Sequence, residues 1–284
     1  MKNLVTLVLK VVFLTVLLFI FYAVAGVVVG LSDASGGGAS GSVMISMLLV
    51  CFLQSAVLSY FVVRSRFGGW RLVLTVFVVF YGIATVLSQM ETVVFLRYLV
   101  NVVPAEAIPR LFLQGAIVAA LFAPAVVRTH GKMKKEAQAE SALSIFPRSW
   151  GESLGKVVLI AVLYVVIYLA FGSLVFRPLA GKAFEEYYAG LSLPLWILPF
   201  QMGRGVLWLA LALLVMGTMK GRWWEVRLAV ALLFAVLMGS LLLLPNPYMP
   251  GGIRMAHLVE VTTSNFLFGY LLVWIWQYRP RRVK

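Results

Sequence analysis

Charge is what this sequence has least of. Only 12% of its 284 residues are Asp, Glu, Lys or Arg, while 62% are apolar and the mean hydropathy is +0.99. A soluble domain is about a quarter charged and about half apolar, so the shortage excludes a water-soluble fold for most of the chain. Cysteine is scarcer still. The lone Cys51 lies inside an apolar run, which excludes an intrachain disulfide and reads as a small buried hydrophobe. Signature motifs are also missing: there is no HExxH, CxxC or DxD spacing and no GxSxG elbow. Gly36-Gly37-Gly38 lacks the Lys-Ser/Thr that completes a phosphate loop. No cofactor is expected.

What is there instead is long apolar runs. A membrane-crossing helix needs about 20 mostly apolar residues, and eight segments qualify: 11–31, 43–63, 72–90, 111–127, 157–176, 194–217, 228–245 and 255–276. Runs such as Leu241-Leu242-Leu243-Leu244 lack the alternation of a barrel strand. Backbone groups in lipid must be satisfied within the segment, so the expected fold class is an all-α polytopic transmembrane helix bundle of about eight spans. Ala23-Val24-Ala25 before Gly26 looks like a signal-peptide cleavage site, but the apolar run continues to Leu31. A retained first span is the reading adopted.

The distribution of basic residues gives an orientation. With the N-terminus inside, eighteen of the 24 Lys and Arg residues fall in inner segments, against four of the ten acids. The inner face then carries the whole net charge of +14. The outer side balances six bases with six acids. Trp70, Trp150, Trp223, Trp224, Trp274 and Trp276 all fall near the inner boundary, as an aromatic belt should. Topology therefore accounts for the excess charge, and no nucleic-acid partner is expected. Both chain ends are placed in the cytoplasm of a cell membrane, and the short loops point to a prokaryotic plasma membrane.

The chain also echoes itself. Lys10 to Gly26 overlays Lys156 to Gly172 with seven identities in 17 positions, including Tyr22 with Tyr168. Trp70-Arg71-Leu72 opens span three and Trp224-Glu225-Val226 opens span seven; Pro109-Arg110 precedes span four, and Pro250 to Arg254 precedes span eight. This pattern predicts a 4+4 tandem repeat of equal orientation: residues 1–127, a basic cytoplasmic linker 128–155, and residues 156–284. The stretch Arg128 to Lys156, with Lys132, Lys134 and Lys135, is a possible contact for anionic lipid or a protein partner. Ser32 to Ser42 reads as a flexible outer linker, and Arg177 to Leu193 as a short outer interfacial helix. Val93 to Val103 is too short to span and is expected to re-enter or lie along the surface.

Ionisable groups inside spans are costly and are the first candidates for function. His257, Glu260 and Ser264 follow at spacings of three and four, which puts them on one face of span eight, flanked by Thr263 and Asn265. Arg254 lies about 9 Å above Glu260 along that helix. Gln201 and Arg204 open span six, Gln114 lies one turn below Arg110 in span four, and Gln89 and Glu91 end span three. Together these residues are expected to line one polar cavity open to the outer face, with Arg204 or Arg254 neutralising Glu91 and Glu260. His257, Glu260 and Glu91 supply at most three metal ligands where a closed zinc site takes four, and His130 falls in an inner loop. No metal site is expected. Three functional readings stay open: a transporter-like carrier of a small molecule, ion or lipid; an intramembrane enzyme acting on a lipid or lipid-linked substrate from the outer leaflet, with His257 and Glu260 as an acid–base pair; and a scaffold subunit without a site of its own.

Overall fold

The computed structural model describes residues 2–31, 41–95, 104, 106–134, 149–188, 194–245 and 249–278. Among them are no strands; eight helical segments are long and apolar enough to cross a membrane. The helices are α1 (Lys2–Val28), α2 (Gly41–Val63), α3 (Gly69–Tyr81), α4 (Ser88–Phe95), α5 (Ala107–Thr129), α6 (Trp150–Phe171), α7 (Arg177–Ala180), α8 (Lys182–Tyr187), α9 (Ile197–Thr218), α10 (Trp223–Gly239) and α11 (Gly251–Gln277). A π turn over Gly82–Leu87 joins α3 to α4 as the third span, and another over Gly172–Phe176 joins α6 to α7 as the fifth.

Several helices are longer than their apolar runs. The first starts at Lys2 rather than residue 11, and the third continues past residue 90, so that Glu91 stands inside a helix. The reason is that hydropathy marks the lipid-facing stretch, whereas helical hydrogen bonding continues until a cap or a loop stops it. Ser149 supplies one such cap: its hydroxyl accepts from the Glu152 backbone N–H at 3.2 Å. At the far end of α11, Lys156 Nζ donates to the carbonyls of Trp276 and Tyr278, at 2.9 and 2.7 Å, where a cation favours the helix C-terminus. The expected outer helix after Arg177 appears as α8. The linker 32–40, most of the segment 93–103 and the core of the basic linker, 135–148, lie outside the described residues.

Packing follows a regular scheme. Among the first four spans α1 lies against α2 and α5, and α3 lies against α5; among the last four, α6 lies against α9 and α11, and α10 lies against α11. Across these two sets, α2 touches α10 and α3 touches α9. Two glycines allow the closest approaches. A Cβ on Gly115 would fall 2.0 Å from Thr85 Oγ1, and one on Gly239 would fall 2.4 Å from Thr262 Oγ1. Small residues at such crossings are the usual means of close packing where lipid removes the hydrophobic drive between helices.

The loops at the end of the bundle where α1 begins and α11 ends also meet. Arg66 N donates to Thr218 O and Lys220 N to Arg64 O, both at 2.9 Å, closing an isolated antiparallel bridge between Ser65 and Met219. Arg66 Nε reaches the Gly217 carbonyl at 2.9 Å, and Arg64 pairs with Glu225 at 2.8 Å. Trp70, Trp150, Trp223 and Trp224 open their helices and Trp274 and Trp276 close α11, so all six lie toward this same end.

Candidate functional site

The opposite end of the bundle holds Glu91, Arg204, His257 and Glu260. Arg204, in the second turn of α9, is among the most buried side chains of the protein. A guanidinium stays charged at any attainable pH and cannot be left bare in a low-dielectric interior. Glu91 of α4 supplies its counter-ion through a direct Nη1–Oε1 ion pair. Gln201 completes the cluster: its Nε2 donates to Glu91 Oε1 at 3.2 Å and its Oε1 accepts from Arg204 Nη1 at 2.9 Å. The second guanidinium nitrogen, Nη2, donates to the Leu87 carbonyl at 3.0 Å. Leu87 is the last residue of the first π turn.

The second π turn ends at another contact of the same region. Phe176 closes that turn and stacks its ring on His257, with centroids 3.9 Å apart and planes 17° from parallel. His257 Nδ1 lies 3.1 Å from Glu260 Oε2, and Nε2 lies 3.0 Å from the Tyr188 hydroxyl. Burial, followed by the neighbouring Tyr187, Glu260 and Glu91, pushes the Tyr188 phenol up. It therefore stands as a neutral hydroxyl. With Nδ1 protonated, His257 donates to Glu260 and accepts from Tyr188, giving a continuous Tyr188–His257–Glu260 chain. Tyr164 and Tyr168 of α6 lie within electrostatic reach of Arg204, Glu91 and Glu260 alike. The Arg204 guanidinium sits 5.7 Å from the Tyr164 ring centre.

The structure thus brings Glu91, Gln201 and Arg204 together and, separately, His257 and Glu260, with Tyr164 and Tyr168 within electrostatic reach of both groups. It does not bring the other expected residues in. Arg254 donates to the Leu242 carbonyl at 2.7 Å and leaves Glu260 to His257. Its guanidinium binds a carbonyl at the end of the seventh span, where the 3-10 turn Ser240–Leu243 leaves acceptors free. Arg110 caps the first span through the Gly30 carbonyl at 3.3 Å. Ser264 and Asn265 both bond back to the Val261 carbonyl of their own helix. Gln114 faces a separate cavity between the first, third and fourth spans. The expected single cavity is therefore two polar regions. The reason is that α11 and α5 rotate their polar groups toward different neighbours.

Sequence reasoning missed Tyr188, Phe176, Tyr164, Tyr168 and the Leu87 carbonyl. Gly82 and Gly172, which open the two π turns, were the available signal, because π turns gather at functional positions. It also missed Gln54, wholly buried in α2, which accepts from the Tyr22 hydroxyl at 3.1 Å and donates to Ser240 Oγ at 3.0 Å. No cluster of three or more His, Cys, Asp or Glu with metal-binding geometry occurs among the described residues. The sequence matches no known protein family, and neither a curated protein nor a solved structure is significantly similar to it.

Proposed function

We propose that this multi-pass membrane protein is a carrier, built from two four-span halves of equal orientation, that moves a small molecule, ion or lipid. The observation that carries this reading is a pair of latches between the halves, one at each end of the bundle. At the end bearing the termini, Arg64 of the first half pairs with Glu225 of the second. At the opposite end, Glu91 of the first half pairs with Arg204 of the second. The signs are exchanged between the two ends. Each latch has reinforcements: the Ser65–Met219 bridge at one end, Gln201 and the Leu87 carbonyl at the other. Parallel-repeat carriers work by rocking one half against the other about a central site, and rocking requires contacts that break alternately at the two faces.

Further features support the two-half architecture. The packing partners within each half correspond, and the contacts between halves, second span to seventh and third to sixth, exchange under that correspondence. The bridge pairs Ser65 with Met219, the same separation that relates Trp70 to Trp224. The close Thr–Gly approaches, Thr85 on Gly115 and Thr262 on Gly239, fall between the third and fourth and between the seventh and eighth spans. In this reading both termini and the Arg64–Glu225 latch face the cytoplasm of a cell membrane, and Glu91, Arg204, His257 and Glu260 face outward.

Reporter cysteines test it in a Cys51→Ser background, with Leu87→Cys at one end and Thr218→Cys at the other, both at positions now buried. Arg204→Met should speed thiol labelling at residue 87 and slow it at 218. Arg64→Ala should do the reverse. Changes confined to the mutated end would sink the alternating-access reading. A second reading, an intramembrane enzyme acting on an outer-leaflet lipid, is favoured by the Tyr188–His257–Glu260 chain, whose geometry suits proton transfer. Turnover of bilayer lipid by the purified protein, lost in His257→Gln, would decide for it.

A further inference from the structure

The cavity that takes Gln114 is distinct from the charged region. It measures about 60 Å³, room for roughly four waters or one solute of four to six heavy atoms. Its walls come from the first, third and fourth spans of one half and from Leu241 of the seventh span. It therefore touches the boundary between the halves. No Asp, Glu, Lys, Arg or His lines it among the described residues. Its polar lining residues are instead Tyr22, Tyr81, Thr85, Gln89 and Gln114.

Those groups have a definite chemistry. Amides and hydroxyls donate and accept, but they cannot neutralise an ion. An ion taken there would lose its hydration without a counter-charge, at a cost of several kcal/mol. Gln89 is one of the lining residues, and its Oε1 is buried with no hydrogen-bond partner among the described residues. A buried amide oxygen in this position is costly unless something donates to it. The Gln114 amide nitrogen lies 3.5 Å from where a Cβ on Gly26 would stand, so it is held against the first span. Tyr22, by contrast, is already engaged with Gln54 and through it with Ser240, which fixes that wall of the cavity.

We infer that this cavity binds a small uncharged polar solute, recognised by the Gln89 and Gln114 amides. The inference rests on the carrier reading only for the claim that the solute is cargo; occupancy of the cavity can be measured apart from transport. The probe is acetamide, with sodium acetate and guanidinium chloride as charged solutes of similar size and sucrose as a solute too large to enter. In a Cys51→Ser background, Ala84→Cys places a thiol on the cavity wall. Its modification by a small methanethiosulfonate reagent is followed with and without each solute.

For a site with Kd on the order of 25 mM, 100 mM acetamide slows modification about fivefold. Acetate, guanidinium and sucrose should leave the rate within about a factor of 1.5 of its value without solute, on the same binding relation. Gln89→Leu combined with Gln114→Leu should abolish the protection while Thr218→Cys in that background keeps its labelling rate, which checks the fold. Equal protection by acetamide and acetate, protection that survives the double substitution, or a thiol at residue 84 that does not react at all would each overturn the inference. Acetamide entry into proteoliposomes, followed by light scattering, separates the two claims. Protection without flux leaves the site standing and removes the claim that its solute is cargo.

Discussion

Breaking the Glu91–Arg204 pair should cost very different amounts depending on which partner is removed. The Arg204 side chain is 1% exposed and that of Glu91 is 32% exposed. Glu91→Leu leaves a permanently charged guanidinium deep in the bundle, with Gln201 and the Leu87 carbonyl, among the described residues, to accept from it. Removing one partner of a buried pair in this way costs about 3–5 kcal/mol. Arg204→Met leaves a carboxylate that is not enclosed by the bundle, so the loss should be about 1–2 kcal/mol, mostly from the acceptors left without a donor. The double variant Glu91→Leu/Arg204→Met removes both charges and should fall near the milder single variant. The pair then shows a coupling of roughly 3 kcal/mol in a double-mutant cycle. Thermal unfolding in detergent reads this directly: at roughly 2–4 °C per kcal/mol for a chain of this size, Glu91→Leu should lose about 10 °C and the double variant about 5 °C. Equal losses for the two single variants, or a double variant that loses the sum of both, would refute the claim that Arg204 is a buried charge neutralised by Glu91.

Three further outcomes follow from the packing and the charges. Gly115→Ala drives its Cβ into Thr85 Oγ1, 2.0 Å away, and should destabilise by about 1–3 kcal/mol, with Thr85→Ala in the same chain recovering part of the loss in a detergent melt. Gln54→Leu strands the Tyr22 and Ser240 hydroxyls and should cost about 1–3 kcal/mol, which Ser240→Ala in the same chain should partly restore. His130, at the C-terminal cap of α5, has its pKa lowered to about 4 by burial and then by Lys10 and Lys132. Its ordinary value is 6.5, so below that pH the unfolded chain takes up a proton that the folded protein refuses. Stability should therefore fall as pH drops from about 6.5 to about 4, with no contribution from this group above that window. His130→Gln should flatten the fall when unfolding is compared at pH 7.5 and 4.5.

The number of spans and their order were legible in the sequence because a run of apolar residues is a local property. A stretch such as 228–245 has no other solvent open to it, and its length alone decides that it crosses. The polar residues worth watching were legible for the same reason: Glu91, Arg204, His257 and Glu260 stand out against their apolar neighbours. Even the shared face of His257 and Glu260 followed from helical spacing, and the two side chains do meet.

Which of these groups would pair was decided only by the tertiary structure. Glu91 and Arg204 are 113 residues apart, and Tyr188 and His257 are 69 apart. Hydropathy gives no information about such partners, because a helix that is apolar on every side carries no signal for its rotation or its neighbours. Arg254 and Arg204 look alike in sequence, each near the start of a span with a carboxylate available to it. Packing turns one toward Glu91 and the other toward the Leu242 carbonyl. The two π turns, which aim Leu87 and Phe176 at the charged region, likewise depend on helix contacts that no local pattern records. Charge scarcity placed the chain in the membrane, and side-chain packing chose where its few charges meet.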